Sequence, residues 1–157
     1  MYHRDLKEAY VPAMTAMNPR LDIEVVWTDE HAVEVELRAA NERFSGVTRF
    51  YTAHSEIAEF GKELSGFPTG LGDVREFEFG SVDAESRQEG AKLRFCLSAS
   101  GHARVDVELF SAEAPPGCKE TASFSIPTEA AAIDRFVKSL LELRTEVGAL
   151  ASLPMGG

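Results

Sequence analysis

Alternation of apolar and polar residues at every second position restricts this chain most, because that spacing suits an extended strand with one dry and one wet face. In Leu21-Asp22-Ile23-Glu24-Val25-Val26-Trp27 the apolar Leu21, Ile23, Val25 and Trp27 are expected on one face, with Asp22 and Glu24 on the other. Thr28-Asp29-Glu30-His31 reads as a turn. Val33, Val35 and Leu37 then alternate with Glu34, Glu36 and Arg38, which predicts a hairpin. Phe44 to Thr52 is a third, β-branched and aromatic run, and the three strands suggest an antiparallel meander. The period returns in Phe77 and Phe79, in Leu93, Phe95 and Leu97, in Val105, Val107 and Leu109, and in Ala122, Phe124 and Ile126. That makes about seven strands, with boundaries good to a few residues.

Two segments switch to helical spacing. Ser55 is placed to cap the first, Glu56 and Glu59 favour its positive end, and Ile57, Phe60 and Leu64 form its stripe. Gly66-Phe67-Pro68 ends it. The second is expected to start at an N-cap Thr128 followed by Glu129. Its apolar face is Ile133, Phe136, Val137, Leu140, Leu141 and Val147, and Gly148 stops it. The order β-β-β-α-β-β-β-β-α predicts an α+β fold: a single antiparallel sheet of about six to seven strands with both helices packed on one face. Residues 1–20 read as an N-terminal arm or short helix, with Leu6, Tyr10, Met14 and Met17 interrupted by Pro12. Residues 21–148 read as one domain and 149–157 as a C-terminal tail. No repeat is expected at the 20–50-residue period of solenoids.

Charge narrows the function. Across 157 residues, 16 Lys and Arg face 26 Asp and Glu, a formal −10. The basic residues are spread singly from Arg4 to Arg144, so nucleic acid and anionic membrane surfaces are not expected partners, whereas a basic protein is. No apolar run is long enough to span a bilayer, and the N-terminus shows no apolar signal core. Two isolated cysteines, Cys96 and Cys118, form neither a disulfide framework nor a zinc spacing, which fits a reducing cytoplasm.

The sequence supplies no catalytic, cofactor-binding or metal-binding constellation. Gly-x-Ser-x-Gly is missing, and Ser45-Gly46, Ser65-Gly66 and Ser100-Gly101 read as turn chemistry. Gly66, Gly70 and Gly72 lack the Lys-Ser/Thr of a phosphate loop, and His3, His31, His54 and His102 have no ligand spacing. One acidic feature stands out. From Leu21 to Leu37 there are six carboxylates and no Lys or Arg, so pairing of the two strands crowds negative charge on one surface. Glu24, Asp29, Glu30, Glu34 and Glu36 are therefore the expected contacts for a basic partner.

Phe44-Ser45-Gly46 leads to the helix with Phe60 and Leu64, the strand Gly101 to Leu109 follows, and Phe124-Ser125-Ile126-Pro127-Thr128 runs into the helix with Ile133, Phe136, Leu140 and Leu141. In these segments the chain resembles a family of small bacterial proteins that includes the immunity protein of the wall-associated contact-dependent toxin system. The resemblance spans about residues 21–145. It implies a cytoplasmic, non-enzymatic protein that binds and inhibits a cognate toxin domain, often a nuclease, whose basic substrate groove suits an acidic inhibitor. An acidic secretion-type chaperone, recognised by a tight dimer with a large apolar patch, is the alternative. A small-ligand binder with a pocket between sheet and helices is the third reading.

Overall fold

The computed structural model describes residues 18–82, 88–113 and 115–154. The reading of residues 1–17 as an arm or helix lies outside the described residues. The elements are β1 (Arg20–Thr28), β2 (Val33–Ala40), β3 (Ser45–Thr52), α1 (Glu56–Leu64), β4 (Arg75–Ser81), β5 (Glu89–Leu97), β6 (Ala103–Ser111), β7 (Glu120–Thr128), α2 (Ala130–Glu142) and β8 (Leu150–Pro154).

The fold is α+β, but the expected single sheet is wrong. The strands form two antiparallel four-stranded sheets, ordered β3-β2-β1-β8 and β4-β5-β6-β7. Alternation gives each strand one dry face without saying which dry faces meet. Here β3 packs across β4, β5 and β6, so the two sheets and both helices share one core. Polar contacts fix the crossing. The Thr48 hydroxyl donates to the Phe110 carbonyl at 2.6 Å, and the Asn41 side-chain amide donates to the Ser125 carbonyl at 3.0 Å. Phe60 lies at the centre of an aromatic cluster, its ring 4.6 Å from Phe77, 5.1 Å from Phe79, 6.1 Å from Phe95 and 6.0 Å from Phe136.

Three local expectations also change. Residues read as a tail contain β8, which pairs with β1 and buries Ala151 and Leu153. Trp27 does not share the face of Leu21, Ile23 and Val25. A register shift between Val25 and Trp27 turns its ring to the wet side, where it is 44% exposed. At the second helix the N-cap is Glu129 rather than Thr128, and the helix ends at Glu142, before Gly148.

The topology contains a repeat longer than any expected. One half runs β1-β2-β3-α1-β4 and the other β5-β6-β7-α2-β8. In each sheet the third, second and first strands of one half are followed by the last strand of the other. Phe50, Thr52, Ile57, Phe60 and Leu64 recur as Ile126, Thr128, Ile133, Phe136 and Leu140, each 76 positions later. The cross-strand rows Val25–Val35–Phe50 and Phe95–Val105–Ile126 correspond as well. Thr52 and Thr128 are both buried, and their hydroxyls have no hydrogen-bond partner among the described residues. The helices meet at Gly61, where an added Cβ would lie 3.0 Å from Leu140 Cβ and 3.2 Å from Leu141 Cδ2.

Candidate functional site

The first hairpin carries the five acidic residues expected to meet a partner, and their situations differ. Glu24 and Glu36 stand directly opposite one another, a like-charge pairing that is unfavourable unless a cation intervenes. Arg38 supplies it, 3.0 Å from Glu24 and 2.5 Å from Glu36, and Arg49 reaches Glu36 at 2.8 Å. Burial pushes the Glu36 carboxyl up, but the hydrogen bonds from Arg49 and Arg38 outweigh it and hold the group below its ordinary value. Buried Asp22 pairs with Arg20 at 2.8 Å and joins the network through Arg38 at 3.8 Å. The run without cations is thus served by arginines from its flanks and from β3.

Asp29 works within its own turn, accepting the backbone N–H groups of His31 and Ala32 at 2.8 Å each. Those bonds lower its carboxyl. His54 ties the same turn to the segment after α2, with Nε2 2.7 Å from the Asp29 carbonyl and Nδ1 2.8 Å from Thr145 Oγ1. Glu30 is exposed at the tip, 3.2 Å from His31. Glu34 lies between Trp27 and Tyr51 on the wet face, and those two rings meet edge to face at 6.1 Å.

Beyond Tyr51 the surface opens into a groove of about 480 Å³ between α1 and β4. Its floor is Phe50, Phe60, Phe77 and Phe79, and it is lined by Glu56, Glu59, Glu63, Glu76, Glu78 and Glu89. No Lys or Arg lines it among the described residues. Glu56, Glu59 and Glu63 share one face of α1 because residues three and four apart stack on a helix. Glu76 and Glu78 share a face of β4 because they are two apart, and Phe77 and Phe79 point the other way into the core. Arg94 approaches Glu76 at 3.4 Å and Lys92 approaches Glu78 at 3.8 Å, both from β5.

Arg75 fixes one end of the groove. Its guanidinium donates to the Glu63 carbonyl at 3.1 Å and the Ser65 carbonyl at 2.7 Å, pairs with Asp73 at 2.9 Å, and lies 5.5 Å from the Phe67 ring centre. The Arg75 hydrogen bond, then the Thr69 backbone N–H, hold the Asp73 carboxyl below its ordinary range. The end of α1 is therefore clamped to the start of β4. At the other end Gly80 and Gly90 face each other so closely that a Cβ on Gly80 would lie 2.1 Å from the Glu89 carbonyl oxygen.

The wet face of the second sheet carries a compensated cluster. Asp106 accepts from Ser125 at 2.6 Å, Arg104 at 3.0 Å and Arg94 at 3.1 Å. Burial raises the Asp106 carboxyl, but these donors outweigh it and the net shift is downward. Neighbouring Cys96 is buried, and burial followed by the Asp106 charge pushes its thiol up. A thiol held protonated is a poor nucleophile. Among the described residues no three His, Cys, Asp or Glu side chains could hold a metal ion, and no helix is long and apolar enough to cross a membrane.

Sequence reasoning missed the groove. Glu56 and Glu59 read as helix-start signals, and Glu76 and Glu78 fall in the polar half of the alternation that Phe77 and Phe79 define. Their convergence depends on how α1 stands relative to β4. Compared with protein families, characterised proteins and solved structures, the chain has no match.

Proposed function

We propose that this chain is a non-enzymatic protein-binding domain of the immunity type, neutralising a cognate toxin domain by taking the toxin's basic face onto its acidic groove. The observation that carries the reading is the one-sided charge of the groove: six glutamates over an aromatic floor, with no cation among its described lining residues. Such a surface speeds and selects encounter with a basic partner and disfavours nucleic acid. Trp27 and Tyr51, 44% and 58% exposed beside Glu34, supply the aromatic area that anchors protein interfaces and can stack on a partner's Arg or Lys. Of the hairpin residues, Glu30 and Glu34 extend the acidic surface. Glu24 and Glu36 would reach a partner only by releasing Arg38 or Arg49, and Asp29 only by giving up its turn.

The test is titration of the purified protein with the toxin domain encoded by the adjoining gene, in low and high salt, alongside protection of cells expressing that toxin. Binding should weaken with salt, and the pair Glu59→Lys and Glu63→Lys should weaken it at least about tenfold and abolish protection. Binding indifferent to both changes, or a gene neighbourhood with no toxin, overturns the assignment.

A further inference from the structure

The two halves differ where their last strands meet their helices. On one side α2 and β8 run close along their backbones. On the other, α1 reaches β4 through the Phe60 ring on Phe77 and Phe79, while the backbones stand apart. The gap left there is the groove. β4 is also an end strand, so among the described residues no strand pairs with its outer edge. An unpaired edge is a row of backbone donors and acceptors open to another chain.

We infer that the outer edge of β4 takes an extended, lysine- or arginine-bearing segment of the partner as a fifth strand of the second sheet, lying in the groove beside α1. The inference rests on the groove being the docking site for a basic protein and adds how that protein is held. An added strand alternates its side chains between two faces. On one face they meet Glu56, Glu59 and Glu63 of α1, and on the other Glu76 and Glu78 of β4, which are exposed but already approached by Arg94 and Lys92, so the α1 side is the stronger site for a cation. Main-chain hydrogen bonds to β4 would supply affinity and the glutamates selectivity, the division of labour in strand addition generally. A second copy of this chain is the wrong occupant, because β4 against β4 sets Glu76 and Glu78 against their own kind.

The test uses the full chain and a synthetic peptide of alternating lysine and valine. A second version has its backbone N-methylated at every other residue, which removes one edge's donors and keeps the charge. Amide exchange should slow on β4 when the first peptide binds, and the N-methylated peptide should bind about tenfold or more weakly. Glu59→Lys with Glu63→Lys should weaken the unmodified peptide comparably. Equal binding of the two peptides, or protection falling on β3, β7 or β8, overturns strand addition. In that case binding that remains salt-sensitive and glutamate-dependent leaves the basic-partner reading standing. Absence of peptide binding also overturns the inference, while the toxin titration decides the broader reading separately.

Discussion

The two β-β-β-α-β halves of the molecule act as an internal control on each other. Both keep the residues their shared scaffold demands: Thr52 and Thr128 at the strand ends, Ile57 and Ile133, Phe60 and Phe136, and Leu64 and Leu140 on the helices. At most of the other helix positions they part, Lys62 and Lys138 excepted. Where α1 has Glu56, Glu59 and Glu63, α2 has Ala132, Arg135 and Ser139 at the same 76-residue offset. Ala132 is buried, small enough for α2 to settle near β8, whereas α1 stands off from β4. The fold can evidently be built without a row of glutamates on its helix. Glu59 and Glu63, four apart with the same sign, even cost α1 a few tenths of a kcal/mol. What the scaffold does not require in one half is what the other half has available for binding.

The sharpest way to break this comparison is at the matched phenylalanines. Phe60→Ala and Phe136→Ala should each lower unfolding free energy by about 3–5 kcal/mol, since each empties a ring's volume from a shared core. Urea unfolding of both variants should give single transitions. If one loss were tolerated, or unfolding split into two steps, the halves would not share a core and the correspondence would be topological only.

Much of the scaffold was legible because its signals are local. Period two revealed the first seven strands, and the stripes Ile57–Phe60–Leu64 and Ile133–Phe136–Leu140 revealed both helices. What was not legible depends on distant partners. The split into two sheets rests on contacts such as Thr48 to Phe110, 62 residues apart, which no local pattern encodes. Alternation alone puts Trp27 on the wrong face, because a bulge of one residue reverses it. β8 escaped notice because five residues with two inward side chains make too short a pattern. The repeat escaped because strands slipped in spacing while the strand-to-helix junctions kept theirs. The groove was illegible for the same reason: each glutamate has an ordinary local explanation, and only the packing brings them together.

The wet faces offer a finer comparison. Glu36 and Asp106 follow the matched Val35 and Val105, and each is held by two arginines, Arg38 and Arg49 in one sheet and Arg94 and Arg104 in the other. Both carboxyls lie below their ordinary values when folded, so the folded state binds fewer protons than the unfolded chain in acid. Their stabilisation is complete above the ordinary carboxyl range near pH 4 and is lost as pH falls through the folded values. Glu36→Gln and Asp106→Asn should each cost about 1 kcal/mol or less at neutral pH and flatten the decline of melting temperature between about pH 5 and pH 2. Flattening by one variant alone would show that the two clusters are not equivalent.

Comparable in size, but opposite in sign, is the effect expected at the paired threonines. Thr52 and Thr128 bury hydroxyls without a partner among the described residues, and valine has nearly the same shape. Thr52→Val and Thr128→Val should each stabilise by about 1 kcal/mol, raising the melting temperature by about 2–4 °C. A loss in either would mean that its hydroxyl finds a partner, such as ordered water.

The smallest expected change in stability carries the most weight for function. Writing the residues of α2 onto α1, as Glu56→Ala, Glu59→Arg and Glu63→Ser, removes three like charges and introduces side chains the other half already tolerates. Glu56 and Glu59 gain something from the positive end of the helix, whereas Glu63 in the last turn does not, so the terms oppose and partly cancel. Thermal stability should therefore stay within about 0.5 kcal/mol of the original, as is usual for exposed positions. Binding of a basic partner should nevertheless be lost, because the helix wall of the groove would carry an arginine where two exposed carboxylates stood. A variant that unfolded would show that the glutamates serve the scaffold after all. One that folded and still bound would move the docking surface away from α1, leaving Trp27, Glu34 and Tyr51 to account for it.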